Sequence, residues 1–193
     1  MDVTKLMQMA SGARTPAELG LSPVLDTVSG QSASWSQRTV DISDYNGATA
    51  YLVFEYTNGA SDFTGDIQLD LIEIGGNTYS FETSSDGFQK NSVLNVSTYS
   101  AVTWTALTTG SSGGGNWFRD SGGTPSTGTG LTTAASGSYY VYAETSSPAN
   151  VSGYKFWLRS PSVVINSNTF SYYEARSGAS MGTLNVYLDV TVG

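Results

Sequence analysis

The chain contains neither cysteine nor histidine. Without cysteine there are no disulfides and no thiolate metal sites. The absence of bridges points to folding in a reducing cytoplasm, not to export as a disulfide-bonded adhesion domain. Without histidine, Ser-His-Asp and Cys-His nucleophilic sites cannot be built, nor can His-ligated zinc. Charge is scarce as well: 12% of residues are Asp, Glu, Lys or Arg, and the net charge is −8. That balance argues against broad nucleic-acid binding, which needs basic patches to displace counterions. No apolar run reaches the roughly 18 residues of a membrane-spanning helix. Met1-Asp2-Val3-Thr4-Lys5 lacks the basic segment and following apolar segment of a signal peptide.

What the chain does have is aromatic side chains, at 12% of residues, and 22 glycines among many serines and threonines. This composition favours short strands joined by turns over helices. A length of 193 residues suits one good core. The organising stretch is 137–190, where Tyr139–Ser146 and Gly153–Pro161 are aromatic-rich strands. Gly182–Leu188 then alternates, with Leu184, Val186, Leu188 and Val190 on one side and Asn185, Tyr187, Asp189 and Thr191 on the other. That period of two marks a strand with one face in a core. Earlier strands are expected at Trp35–Ile42, at Ala48–Thr57 (apolar on both faces, hence central) and at Phe63–Ile74. In the last of these, Ile67, Leu69 and Leu71 oppose Asp66, Gln68 and Asp70. Gly75-Gly76-Asn77 predicts a hairpin turn back into Thr78–Thr83. Val102–Leu107 and Asn168–Arg176 complete the set. Residues 108–136 are the least structured, with Trp117-Phe118 pinning part of them to the body. The fold class expected is all-β: a two-sheet antiparallel β-sandwich (jelly roll) with a short, partly helical N-terminal arm.

Residues 1–30 form that arm, and 31–193 the sandwich domain. Thr15-Pro16-Ala17-Glu18 carries an N-cap hydroxyl, a first-turn proline and a following acid, so a turn of helix is expected from Pro16 to Leu19, with Gly20 as its stop. Two readings of the arm stand side by side. It is a solvated terminus, or its apolar residues Leu6, Met7, Met9, Leu19 and Leu21 are buried against another subunit.

From Trp117 onward the chain resembles the MAM adhesion domain. The motifs are Pro125-Ser126-Thr127-Gly128, Gly137-Ser138-Tyr139-Tyr140-Val141-Tyr142-Ala143-Glu144-Thr145, Leu158-Arg159-Ser160-Pro161, Phe170-Ser171-Tyr172 and Gly182-Thr183-Leu184-Asn185-Val186, in the family's order. The family's closing strands resemble Trp35–Ile42, Tyr51–Tyr56 and Phe63–Ile72 at the front of this chain, and its opening Phe-Glu resembles Phe81-Glu82. The resemblance implies a circularly permuted MAM-like jelly roll joined at Gly75-Gly76-Asn77. It also implies calcium as the cofactor to consider, with Asp66, Asp70 and Glu82 as the residues that would inherit the metal role. The family's Asp-His-Thr is replaced near Leu131-Thr132-Thr133. Solvated carboxylates are the simpler account of all three.

Catalysis is not expected. The carboxylates available to a glycosidase pair, Glu55, Asp70, Glu82, Glu144 and Glu174, are more simply outward strand positions. The outward aromatics Tyr140, Tyr142, Trp157 and Tyr187 are most simply covered by the rest of the chain. A protein contact comes second and a sugar-stacking surface third. Together these features suit a non-catalytic bacteriophage virion protein, made in the host cytoplasm: a capsid decoration, or a tail, fibre or adaptor component. Its partners would be other copies of itself or other virion proteins, and a host-surface glycan, with no nucleic acid and no membrane. The alternative is a carbohydrate-binding or cell-adhesion module.

Overall fold

A computed structural model describes residues 21–93, 102–110 and 113–191. The described residues form fourteen strands: β1 Asp26–Ser29, β2 Ser36–Asp41, β3 Thr49–Thr57, β4 Gln68–Ile74, β5 Asn77–Tyr79, β6 Gln89–Val93, β7 Thr105–Ala106, β8 Thr108–Thr109, β9 Asn116–Ser121, β10 Tyr139–Glu144, β11 Lys155–Arg159, β12 Val163–Val164, β13 Thr169–Ala175 and β14 Thr183–Thr191. They make two sheets. Sheet A runs β1-β14-β3-β11-β6-β7 with β12 also on β3, and sheet B runs β2-β13-β4-β10-β9-β8 with β5 on β4. Pairing is antiparallel except between β8 and β9. The chain is therefore an all-β, two-sheet sandwich.

The core explains the layering. Leu52, Phe54 and Tyr56 of β3, Phe156 and Leu158 of β11, and Leu184, Val186 and Leu188 of β14 belong to one buried cluster with Leu69 and Ile72 of β4, Trp117 of β9, Val141 and Ala143 of β10, and Phe170 and Tyr172 of β13. Front and back of the chain meet inside sheet A. β14 pairs residue by residue with β3 from Thr183↔Thr57 to Thr191↔Thr49, while β11 pairs on the other side of β3. Leu52–Tyr56 are all buried, as expected of a central strand.

The hairpin at Gly75-Gly76 forms as expected. Ile74 pairs with Asn77, and both glycines have positive φ, 56° and 74°. A two-residue turn of that hand suits glycine because a Cβ is strained there.

The structure changes four expectations. Asp26–Ser29 is not arm but the edge strand of sheet A, paired with β14, and Leu21 bridges to Asp189. Its place is secured by Asp26, which accepts from Arg38 Nε at 3.0 Å and from the Tyr172 hydroxyl at 2.9 Å. The proposed helical turn and Leu6, Met7, Met9 and Leu19 lie outside the described residues. The strand expected from Phe63 begins only at Gln68, because Asp62 Oδ1 takes the Thr64 N–H and hydroxyl, both at 2.8 Å, and so folds the chain into a local turn. Alternation in β4 also breaks. Leu71 has φ 42°, and the register with β13 shifts there. Leu71 turns partly outward while Ile72 and Ile74 enter the core, as a β-bulge requires. Finally, β6 and β9 are strands in stretches whose sequence alternates too poorly to announce them.

Candidate functional site

The chemistry gathers on the outer face of sheet B. Residues Asp66, Gln68 and Asp70 do point away from Leu69, as their alternation demands, yet all three are fully buried. The reason is a third layer: the Gly/Ser/Thr-rich segment 122–138 folds back as a roof over this face. Gln68 holds it in two directions, its amide donating to the Leu131 carbonyl at 3.0 Å and its carbonyl accepting the Leu131 N–H. Trp35 Nε1 donates to the Thr133 carbonyl at 2.8 Å, and the Tyr140 hydroxyl to the Gly122 carbonyl at 2.8 Å. Beneath the roof Phe118, Tyr140 and Tyr142 form a small aromatic cluster with Trp35 and Ala134.

Three carboxylates bind backbone amides along this face. Asp70 accepts the Leu71 N–H at 2.7 Å and the Ser136 N–H at 2.9 Å. Glu82 Oε1 accepts the N–H groups of Ser138 and Tyr139 at 2.9 and 2.8 Å. Both therefore grip one turn of the roof. Gly137, at the centre of that turn, has positive φ, and a Cβ there would run into the Glu82 carboxylate. Asp66, on the same face, holds a different stretch: its Oδ1 accepts the Thr145 N–H at 2.8 Å and the Thr145 hydroxyl at 2.9 Å.

Asp66, Asp70 and Glu82 thus do not surround one point. Among the described residues no three carboxylate, imidazole or thiol side chains converge as a metal site would require. The oxygens of Asp70, and Oε1 of Glu82, are taken by amide donors that a cation would have to displace. As a set of three, these residues do not fit calcium.

Burial pushes the Asp66 carboxyl up to about 7, aided by the charge of Glu144, and burial pushes Asp70 up to about 6. A carboxyl raised above its unfolded value of about 3.9 stabilises the fold below that pH, and the contribution is lost as pH climbs through the folded value. The urea midpoint is expected to fall between about pH 4 and pH 7. In Asp70→Asn the fall is expected to be shallower, and an equal slope in the variant would refute this account. Asp26 works in the opposite sense. Burial alone would raise it, but the Arg38 and Tyr172 hydrogen bonds hold it below the ordinary range, so its contribution is lost only on acidification.

The remaining candidates divide by face. Glu144 and Glu174 are buried on sheet B, where Arg176 Nε pairs with Glu174 at 2.7 Å. Glu55 is on the outer face of sheet A, paired with Lys155 Nζ at 2.8 Å. Of the aromatics expected to face outward, Tyr140 and Tyr142 lie under the roof, and Trp157 is only 3% exposed. Trp157 packs with Val53, Val102, Leu21, Tyr51, Trp104 and Tyr187 on the outer face of sheet A. Tyr187 is half-buried there. Arg159 lies over the rings of Tyr51 and Trp104 at 4.6 and 4.4 Å, while Gln89 holds its guanidinium. The strand expected at Val102–Leu107 is reduced to Thr105–Ala106, and the pairing that carries Trp104 over Arg159 is a matter of register with β6, which no local pattern shows.

No protein-family model matches the chain, and no solved structure matches it.

Proposed function

We propose that the chain is a non-catalytic structural module of a virion: a capsid decoration, or a tail, fibre or adaptor component, built on a MAM-like, circularly permuted jelly roll. One observation carries this reading most of the way. Segment 21–29 runs along sheet A, and Leu21 sits in the apolar cluster of Trp157, Tyr51 and Tyr187 on its outer face. The described part of the chain thus begins at Leu21, beside half-buried Tyr51 and Tyr187, and the reading takes Leu6, Met7, Met9 and Leu19 as the arm that precedes it. A second copy or a neighbouring virion protein would cover both together.

The carbohydrate or cell-adhesion reading loses ground because three of its four aromatics are buried. The open groove at Glu73, Asn77, Thr78, Ser167, Thr169 and Ser171 has no ring on which a sugar could stack.

The test is deletion of residues 1–20, which leaves β1 in place. The shortened chain is expected to melt cooperatively but to run as a monomer in analytical ultracentrifugation, where the full chain self-associates. Equal association states before and after deletion would remove the arm from the account.

A further inference from the structure

Of the four strands at the ends of the two sheets, three are blunted. β7 and β8 are two residues each. On β1 the Thr27 N–H is held by Asp26 Oδ1 at 2.9 Å, and Arg176 Nη1 caps the carbonyls of Ser29 and Gly30. β2 is the exception. It runs for six residues, Ser36–Asp41, without proline, lysine or a break in its register with β13. Proline, lysine, bulges and shortness are the usual means of keeping an edge strand from pairing with another chain.

The ladder fixes which backbone groups of β2 are spare. The Ile42 N–H donates to the Asn168 carbonyl at 2.7 Å, in line with the register from Asp41↔Thr169 to Ser36↔Glu174. Backbone groups alternate between the two sides of a strand. Ser36, Arg38 and Val40 therefore bond to β13, while Gln37, Thr39 and Asp41 aim their N–H and C=O groups away from the sheet. The same three are the exposed residues of the strand. Among the described residues no group bonds the outward amides of Gln37 and Thr39. Arg38 is no obstacle at this edge. It is in phase with Val40 and Ile42, and its guanidinium turns to Asp26, with Nε at 3.0 Å and Nη2 at 2.5 Å.

We propose that two copies of the chain pair antiparallel along β2, about a two-fold axis through Thr39, so that their B sheets become one. A two-fold axis requires a surface complementary to itself, and this edge has one. Thr39 falls opposite its own copy, a Thr–Thr pair of the kind that supports antiparallel strands. Gln37 falls opposite Asp41 of the second copy, and Asp41 opposite Gln37, so an amide donor meets a carboxylate acceptor at both ends. The neighbouring registers are worse. One sets Arg38 against Arg38, and the other carries Gln37 past the end of the opposing strand. A seam of six residues falls short of the roughly 1,200 Å² of a stable interface. It sets the register of the two copies while the arm supplies the affinity, and to that extent it rests on the proposed assembly through the arm.

The experiment is amide hydrogen exchange and sedimentation of the full chain across a dilution series. The Gln37 and Thr39 amides are expected to be protected in the associated chain and to lose that protection on dilution. Gln37→Glu sets like charges against each other at both ends of the seam and is expected to weaken association about tenfold. Gln37→Lys, facing Asp41, keeps it. Thr39→Pro removes only an outward donor, so association is expected to weaken while the cooperative melt persists; should that variant fail to fold, the two Gln37 variants decide. Free exchange of both amides in an associated chain, with Gln37→Glu associating as the wild type does, overturns the seam and leaves arm assembly standing. Protection that persists in the monomer also overturns it, because the same chain then covers its own edge. If the chain lacking residues 1–20 still pairs, and Gln37→Glu abolishes that pairing, the seam stands and the arm does not. A full chain that is monomeric at every concentration overturns both.

Discussion

A chain ending at Gly182 is expected to have no cooperative unfolding transition and the circular dichroism of an unordered polypeptide. The removed strand, β14, lies inside sheet A between β1 and β3. It brings Leu184, Val186 and Leu188 into the core, each 0% exposed. Truncating one such side chain to alanine costs about 2–5 kcal/mol. Losing three of them, and nine paired residues with them, exceeds the roughly 5–15 kcal/mol by which a domain of this kind is stable. The loss would also bare β3, an apolar strand whose unpaired edge invites association. A truncated chain that still melts sharply near the full-length temperature would show that β14 is an accessory strand, and the shared-sheet account would fail with it.

The second large effect is expected at Trp117, with a contrast between two substitutions. Its ring is fully buried in the main core on β9, so Trp117→Ala should cost about 3–5 kcal/mol through lost contacts and a cavity. Its indole N–H, however, finds no acceptor. A buried donor left without a partner is itself a cost of about 1–3 kcal/mol. Trp117→Phe removes that donor while keeping most of the ring, so its net loss should be much smaller than that of Trp117→Ala. Denaturant melts of the two variants measure this directly. A phenylalanine variant as damaged as the alanine one would mean that the N–H is satisfied after all.

Much of this architecture is legible in the amino acids themselves. Leu184, Val186 and Leu188 alternate with polar neighbours, and they enter the core as that alternation demands. The double-sided apolar run Leu52–Tyr56 marks a strand with partners on both sides, and Gly75-Gly76 marks the reversal between β4 and β5. The less legible parts have physical causes. Leu71 carries an apolar side chain in correct phase, and only a left-handed backbone at that residue, invisible in the sequence, exchanges its place with Ile72. Asp66, Gln68 and Asp70 read as solvent-facing because period two reports the face of a strand but not what lies beyond it. A loop rich in glycine, serine and threonine resembles a flexible connector, yet its backbone groups are what those side chains bind. The same blindness conceals which residues of β4 and β10 face each other, since nothing local to either strand reveals register.

The interleaving of early and late strands bears on how the protein is made. Ser22 and Leu188 bond across 166 positions of sequence, and β3 has no sheet neighbour on either flank until β11 and then β14 have been synthesised. Contacts this distant slow folding because closure entropy is lost before any pairing rewards it. While translation proceeds, Tyr51–Tyr56 must leave the ribosome as a bare, sticky ribbon, kept from its neighbours on the polysome by chaperones or by dilution alone. Yield in the cell should therefore depend on elongation speed and crowding more than on the finished molecule's melting point.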